Sequence, residues 1–402
     1  MKILVVSSFL PYPLFSGGHV RLYNLIKELS SSHEITLICE KRFKQTEKDI
    51  KEVEKICKKV IVVSRKRQWS ARNLLKTAIS SHSFLVTGHT SVEMKKVIED
   101  ELKKIKFDLI HVETYYVMQN LPSTSIPIVL AEHNIEYKVY KKYVDQVSIV
   151  LKPILSLDIV KIKNEEEKFW KKADKLIAVS MEDSKVMYKA GITASIIANG
   201  VNTKKFTFLH KSKSKNQKEK KILFIGDFKW IQNRDTVQYI IEEIWPEIRN
   251  KNKEQRTKIV LWIVGREIPQ SIKDLSNDSD VIFDESKSAL PTEKLFQDAD
   301  ILLAPIRVGG GTSYKILESM SCGTPVVATP LSAESLEAAD NLNIMVGSTA
   351  SELAEKTLEL LSDKNLYDKV AKNGRKLIEE NYTWKKIAKD LNKVYEEARS
   401  NS

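Results

Sequence analysis

Short, near-continuously apolar runs rich in Val, Ile and Leu recur along the chain, separated by stretches in which apolar residues return every three or four positions. In the first half the runs lie at 2–8 (KILVVSS), 34–39, 60–64, 107–113, 126–133, 175–180 and 195–200. In the second half they lie at 221–228, 258–265, 280–285, 300–306, 325–329 and 343–347. Runs that do not alternate with polar residues suit strands buried on both faces of a parallel sheet. Between them, Leu22, Leu25, Ile26 and Leu29 fall at i, i+3, i+4 and i+7, the inner face of an amphipathic helix. Strand–helix alternation of this kind predicts doubly wound α/β domains.

The segment HKSKSKNQKEKK (210–221) is polar, basic and without periodicity, as an exposed linker is. It divides the chain into a Rossmann-like half at 1–205, a linker at 206–220 and a second Rossmann-like half at 221–382, with a last helix at 383–402. A length of 402 residues fits two such domains. Ligands of open α/β sheets bind beyond the carboxyl ends of the strands, so the expected site is the cleft between two facing sheets.

Composition, 42% hydrophobic and 29% charged, is that of a globular protein. Cys39, Cys57 and Cys322 have no paired spacing, which argues against a disulfide scaffold or a zinc site and for a reducing compartment. The opening MKILVVSSFLPYP reads as a first strand rather than a leader. No apolar run reaches the roughly 18 residues of a membrane span, so a cytoplasmic location is expected. The net charge of +12 fits either a lysine-rich solvated surface or an anionic partner. The basic residues form no aromatic-interleaved stripe, which disfavours nucleic acid. One basic stretch, 64–79, mixes Arg65, Lys66, Arg67 and Arg72 with Trp69, Leu74, Leu75 and Ile79. That composition fits either a helix packed on its own domain or a segment lying on an anionic membrane.

Candidate chemistry gathers at strand ends. After the first run, Gly17 and Gly18 open a helix whose free N–H groups either attract an anion or only make a turn, with Arg21 one turn on. After 300–306, Gly309, Gly310 and Gly311 lead to Thr312 or Ser313 as N-cap of a helix ended by Gly323. Amides at that start suit a diphosphate. The Walker A ending and the G-x-G-x-x-G spacing are both absent. Glu318, on the same helix, either accepts two sugar hydroxyls or pairs with Lys315 on a wet face. His111 and Glu113 share one strand face, and VLAEHNIE places Glu132, His133, Asn134 and Glu136 together. Neither cluster has the HExxH form, so no metal is expected.

The ordered set GG (17–18), FWKKADKLIAVS (169–180), IANGVNTKKF (197–206), LFIGDFKWIQNRDTV (223–237), VGREIP (264–269), GGGTSYKILESMSCGTPVVAT (309–329) and GRKLIEENYTWKKIAKDL (374–391) resembles the family 4 glycosyltransferases of the GT-B fold. The resemblance covers nearly the whole chain. It implies two facing Rossmann-like domains, a terminal helix that returns to the first, and metal-independent, retaining transfer of a sugar from a nucleotide-diphosphate sugar to a saccharide or lipid-linked acceptor. No cofactor is implied, since the nucleotide sugar is a substrate. Glu318 matches the second glutamate of the family's E-x7-E and would hold the donor ribose. Gly310 to Ser313 would hold the diphosphate, with Gly17 and Gly18 approaching it, and Asn199 to Asn202 would be the hinge. The family's first glutamate falls on Gly310, and its basic pair on Asp227 and Asn233, so Lys229, Arg234 and Lys315 are the candidate phosphate cations. Glu113 stands where a site histidine is common, and with His133 it would orient the acceptor or the sugar. A GT-B nucleotide-sugar epimerase and a non-catalytic partner subunit are the alternatives. The implied setting is cell-surface polysaccharide or glycoconjugate synthesis, in the cytoplasm or at the inner membrane face.

Overall fold

Each of the apolar runs forms a strand in the computed structural model, which describes residues 1–65, 68–145, 147–209, 219–252, 258–307 and 312–400. The first seven are β1 (Lys2–Ser7), β2 (Glu34–Lys41), β3 (Lys59–Ser64), β4 (Leu109–Glu113), β5 (Ile128–Ala131), β6 (Lys175–Ala178) and β7 (Ala194–Ile196). They pair in the order β3-β2-β1-β4-β5-β6-β7, parallel throughout. The others are β8 (Glu219–Asp227), β9 (Lys258–Arg266), β10 (Val281–Asp284), β11 (Ile301–Ala304), β12 (Val326–Ala328) and β13 (Met345–Val346). Their order is β10-β9-β8-β11-β12-β13, again parallel. Both sheets are doubly wound, as the alternation requires.

Burial on both faces explains the unalternating runs. Leu4 and Val6 of β1 join Ile110, Val112 and Leu130 in one core cluster. Ile3 and Val5, on the opposite face, meet Leu22, Leu25 and Ile26 of the helix Gly17–Leu29. In the second sheet Ile222, Phe224, Leu261, Ile263, Leu303 and Val327 share one cluster. Each such side chain contributes about 1.5–3 kcal/mol on burial.

The chain separates into two compact units, Met1–Ala198 with the segment from Ile387 onward, and Asn199–Lys386. The division therefore falls earlier than 205. The N–H of Val201 donates to the Tyr382 carbonyl at 2.8 Å, and Phe206 packs on Phe296 with ring centroids 6.4 Å apart, which ties 199–206 into the second unit. Of the expected linker at 206–220, Phe206 is buried, Glu219 and Lys220 already belong to β8, and 210–218 lie outside the described residues.

In a doubly wound sheet the chain diverges to either side at the point where the strand order reverses, and the space beyond the carboxyl ends there is free for ligands. Those points are β1/β4 in the first unit and β8/β11 in the second. Each candidate cluster follows one of these strands or an adjacent one.

Candidate active site

In the first unit β1 delivers the chain to the helix Gly17–Leu29, β4 ends on Glu113, and β5 is followed at once by Glu132 and His133. Glu113 is fully buried and bridges two histidines. His111 Nε2 lies 3.0 Å from one carboxylate oxygen, and His133 Nε2 hydrogen-bonds the other. The strand period places His111 and Glu113 on one face, and β5, paired alongside β4, brings His133 to them. Burial pushes the Glu113 carboxyl up, but the charge and hydrogen bonds of His133 and His111 outweigh it. They hold the group well below the usual carboxylate range. Glu113 is therefore an ionised acceptor at neutral pH.

Gly18 stands against this pair. A Cβ at that position would lie 3.0 Å from His133 Nδ1 and 3.1 Å from Cε1. The glycine thus makes room for the imidazole as well as exposing a helix start. Beside it His19, buried, has Nδ1 2.8 Å from Ser16 Oγ and its ring 4.7 Å from that of Phe9. Burial, with Arg42 and His133 adding to it, lowers His19 to about 4, so it is neutral. Arg21 is committed elsewhere. Its two terminal nitrogens donate to the carbonyls of Ala198 and Ile197, both at 2.8 Å, so the guanidinium secures the end of the first unit.

The segment carrying His133 is itself held from behind. Glu166 accepts from the N–H groups of Glu136 at 2.7 Å and Tyr137 at 3.1 Å, capping the helix Glu136–Val144. Glu132 turns inward to accept from Trp170 Nε1 at 3.1 Å, and burial with the nearby Glu166 pushes its carboxyl well up. Glu136 is the residue that pattern reading noted without assigning. Burial pushes it up to about 7 against the opposing influence of His133, the range of a group that exchanges protons near neutrality.

In the second unit β8 ends on Asp227, and the helix Ile231–Tyr239 brings Asn233 back to it. Asn233 Nδ2 donates to the Asp227 carbonyl at 2.7 Å. Its Oδ1 accepts from Lys315 Nζ at 2.8 Å. The ammonium also sits 4.2 Å from the centre of the Phe224 ring. Lys315 is thus brought from the helix Tyr314–Cys322 to the place where the resemblance expects a cation and the sequence has Asn233. Among the described residues no ion pair joins it to Glu318. Burial lowers Lys315 to about 7 despite Glu318 nearby. Burial pushes Glu318 up to about 8 against the pull of Lys205 and Lys315. Lys229 is exposed, its N–H donating to Asp227 Oδ1 at 3.0 Å. Arg234 donates from Nη2 to the Lys229 carbonyl at 3.3 Å and leaves its buried Nε without a partner.

Gly309, Gly310 and Gly311 lie outside the described residues, but the flanks of their loop are anchored. Before it, Arg307 stacks 4.1 Å over the Tyr239 ring and pairs with Asp235 at 3.1 Å. After it, the Thr312 carbonyl accepts from Asn199 Nδ2 at 3.1 Å, and Tyr314 donates from its hydroxyl to Asn199 Oδ1 at 3.1 Å. Asn199 therefore anchors this flank, a role no spacing rule reveals. Ser313 is the N-cap residue, with no side-chain cap bond. Thr312 is buried.

The chain is similar to known proteins. The family model Glycosyltransferase Family 4 matches residues 15–205, and the model Glycosyl transferases group 1 matches residues 219–363. An uncharacterised glycosyltransferase of Methanocaldococcus jannaschii is 25% identical over 240 residues, which span 56% of this chain and 59% of that protein. An uncharacterised 44.6 kDa protein in the cps region of Klebsiella pneumoniae is 23% identical over 96% of this chain and 97% of its own. Among solved structures, sucrose-phosphate synthase from Thermosynechococcus elongatus superposes with a TM-score of 0.71 at 15% identity over all of both chains. Anabaena HepE in complex with UDP and glucose superposes at 0.64 and 15% identity over 99% of this chain and 100% of its own.

Proposed function

The chain belongs to the group 1, family 4 glycosyltransferases, and from that premise we propose that it moves a sugar from a nucleotide-diphosphate sugar to a saccharide or lipid-linked acceptor, with retention and without a bound metal. The observation that carries this reading is the arrangement at the end of β8. Lys315 Nζ reaches Asn233 in the first turn of the helix Ile231–Tyr239, the Arg234 guanidinium folds back onto the Lys229 carbonyl there, and Glu318 lies one turn beyond Lys315 on the helix Tyr314–Cys322. As the bond from the anomeric carbon to the phosphate oxygen breaks, its electron pair stays on the phosphate. Preorganised cations stabilise that charge, usually the largest single catalytic contribution. The acceptor oxygen bonds to the anomeric carbon, and its proton ends on the released nucleotide or in solvent. At about 8, Glu318 is protonated at neutral pH and sits near a diphosphate without repelling it. His133, backed by ionised Glu113, would hydrogen-bond a sugar or acceptor hydroxyl. HepE was solved with UDP, which makes uridine nucleotides the first probes. The setting proposed is cell-surface polysaccharide or glycoconjugate synthesis.

The test is a thermal-shift screen against uridine, guanosine and adenosine diphosphates and their sugars, followed by a transfer assay with and without a chelator. One nucleotide should raise the melting temperature by mass action, and transfer should survive chelation. No shift with any nucleotide overturns donor binding. Epimerised donor formed without acceptor replaces transfer by epimerisation.

The location proposed is cytoplasmic, at the inner membrane face. Among the described residues no helix is long and apolar enough to cross a membrane. The helix Ala71–Ile79 instead exposes Leu75 at 65% and Ile79 at 78%, and the helix Lys152–Lys172 exposes Ile154 and Leu157. Lys161 Nζ joins the two helices by donating to the carbonyls of Thr77 at 2.6 Å and Ser80 at 2.8 Å. No Asp or Glu occurs between Glu54 and Glu93, so the first of these helices carries no acidic side chain, and Asp158 and Glu165 of the second accept from the N–H groups of Phe84 and Ser83. Lys66 and Arg67, and the side chain of Arg72, lie outside what the structure describes. The protein should co-sediment with vesicles containing anionic lipid and not with neutral ones, and Leu75→Ser with Ile79→Ser should abolish this. Binding that survives the double substitution counts against this face.

A further inference from the structure

The buried end of the Glu113 pair continues into the last helix. Tyr395, on the helix Trp384–Ser400, places its hydroxyl 3.0 Å from His111 Nδ1. The groups therefore form one line: Tyr395, His111, Glu113, His133. Three of them line a cavity of only about 10 Å³ among Ile3, Leu22 and Leu25. That is at most room for a single water, so the contacts are direct.

The chemistry of each member fixes the protons. An ionised carboxylate only accepts, so both histidines must present N–H to Glu113, each from Nε2. The Tyr395 hydroxyl then donates to the lone pair of His111 Nδ1. Burial, with Glu113 next to it, pushes the Tyr395 phenol well up, so the hydroxyl keeps its proton. With Nε2 occupied, the one nitrogen His133 has left is Nδ1, which faces Gly18. The ring is 16% exposed, whereas His111 and Glu113 are sealed.

We propose that Tyr395 and His111 are positioning residues which, through Glu113, hold His133 in the Nε2–H tautomer and leave its Nδ1, beside Gly18, as the acceptor for a substrate hydroxyl. The last helix of the chain thereby sets the proton arrangement of a site formed some 280 residues earlier. The hydroxyl contact rests on the glycosyl-transfer reading; the tautomer does not. The titratable groups around His133 are Glu113 on β4, Glu136 on the following helix and His19 on the helix Gly17–Leu29.

Two measurements on the full chain decide this. Nitrogen NMR of imidazole-labelled protein at alkaline pH should show His111 and His133 as Nε2–H tautomers. In Tyr395→Phe, with folding checked by circular dichroism, the His111 and His133 signals should shift toward mixed tautomers. In transfer assays the same variant should lose about 5–20-fold in kcat with the donor KM unchanged, a split that general loosening would not give. An Nδ1–H tautomer at His133 in the unsubstituted protein overturns the proposal whether or not Tyr395→Phe folds. So does a Tyr395→Phe protein with unchanged imidazole signals. If no donor supports transfer, the glycosyl-transfer reading fails, while the NMR result still decides the tautomer.

Discussion

Glu113→Leu is expected to lower the unfolding free energy at neutral pH by about 3–5 kcal/mol, the cost of leaving buried charge-assisted donors without their acceptor. The substitution removes the acceptor of both His111 Nε2 and His133 Nε2 in a place with room for at most one water. Glu113→Gln is the sharper probe. The amide keeps the volume but presents a donor to one of two histidines that must donate to it. The fold should survive while transfer falls roughly 10–100-fold, the equivalent of one charge-assisted hydrogen bond. Urea unfolding and initial transfer rates read the two effects. The pH dependence has a definite sign. A carboxyl held lower in the folded than in the unfolded protein contributes stability that is present above the unfolded value, about 4.3 for glutamate. That contribution is lost as pH falls toward the folded value. The gap in stability between the native protein and Glu113→Gln should therefore be widest near neutrality and narrow below about pH 4. A gap that stays constant from pH 7 to pH 3 means that Glu113 is not held ionised by its two histidines.

The central strands were legible because they are sealed on both faces, so β-branched apolar runs mark them without help from context, and the edge strands β3 and β10 keep the same composition although partly exposed. Their ends were less so: the runs at 107–113 and 126–133 reach past β4 and β5, since flanking residues are buried by neighbouring elements rather than by pairing. His111 and Glu113 could be joined on paper because their relation is local. Tyr395 could not, since nothing periodic connects it to His111. Arg21 shows the opposite failure. A cation one turn into a glycine-started helix looks like an anion ligand, yet the fold spends it on the carbonyls of Ile197 and Ala198. Lys315 was assigned to the site with a local partner in view, Glu318. Its partner proved to be Asn233, the residue whose presence had suggested a missing cation. The basic run at 210–221 marked a boundary more strongly than NGVN did. The Val201–Tyr382 hydrogen bond places residues after Asn199 in the second unit all the same.

Nucleoside diphosphate affinity is expected to fall as pH rises above about 7, the value to which burial lowers Lys315 in the ligand-free protein. A bound diphosphate favours the ammonium and so raises that value. Between the free and bound values binding must take up a proton, and affinity drops by up to tenfold per pH unit. The ligand's own last phosphate ionisation lies near pH 6 and is complete in this window, so it adds no slope of its own. Above about 8 Glu318 ionises and repels the phosphates, which steepens the fall. The two contributions separate by substitution. Lys315→Met should weaken binding roughly 10–100-fold at pH 7 and flatten the profile between pH 7 and 8. Glu318→Gln should leave that segment intact and remove the added steepness above 8. Titration calorimetry in two buffers of different ionisation enthalpy measures the proton taken up directly. Proton uptake near pH 7.5 should be seen in the native protein and in Glu318→Gln, and be absent in Lys315→Met. Uptake that persists in Lys315→Met would place the titrating cation elsewhere. The reason for the lowered Lys315 value lies in the local packing: Phe224 and Asn233 give Lys315 a cation–π face and one neutral acceptor, too little to retain full charge without an anion beside it. The same poverty of partners makes the ammonium responsive to a leaving group whose charge appears only as the glycosidic bond breaks.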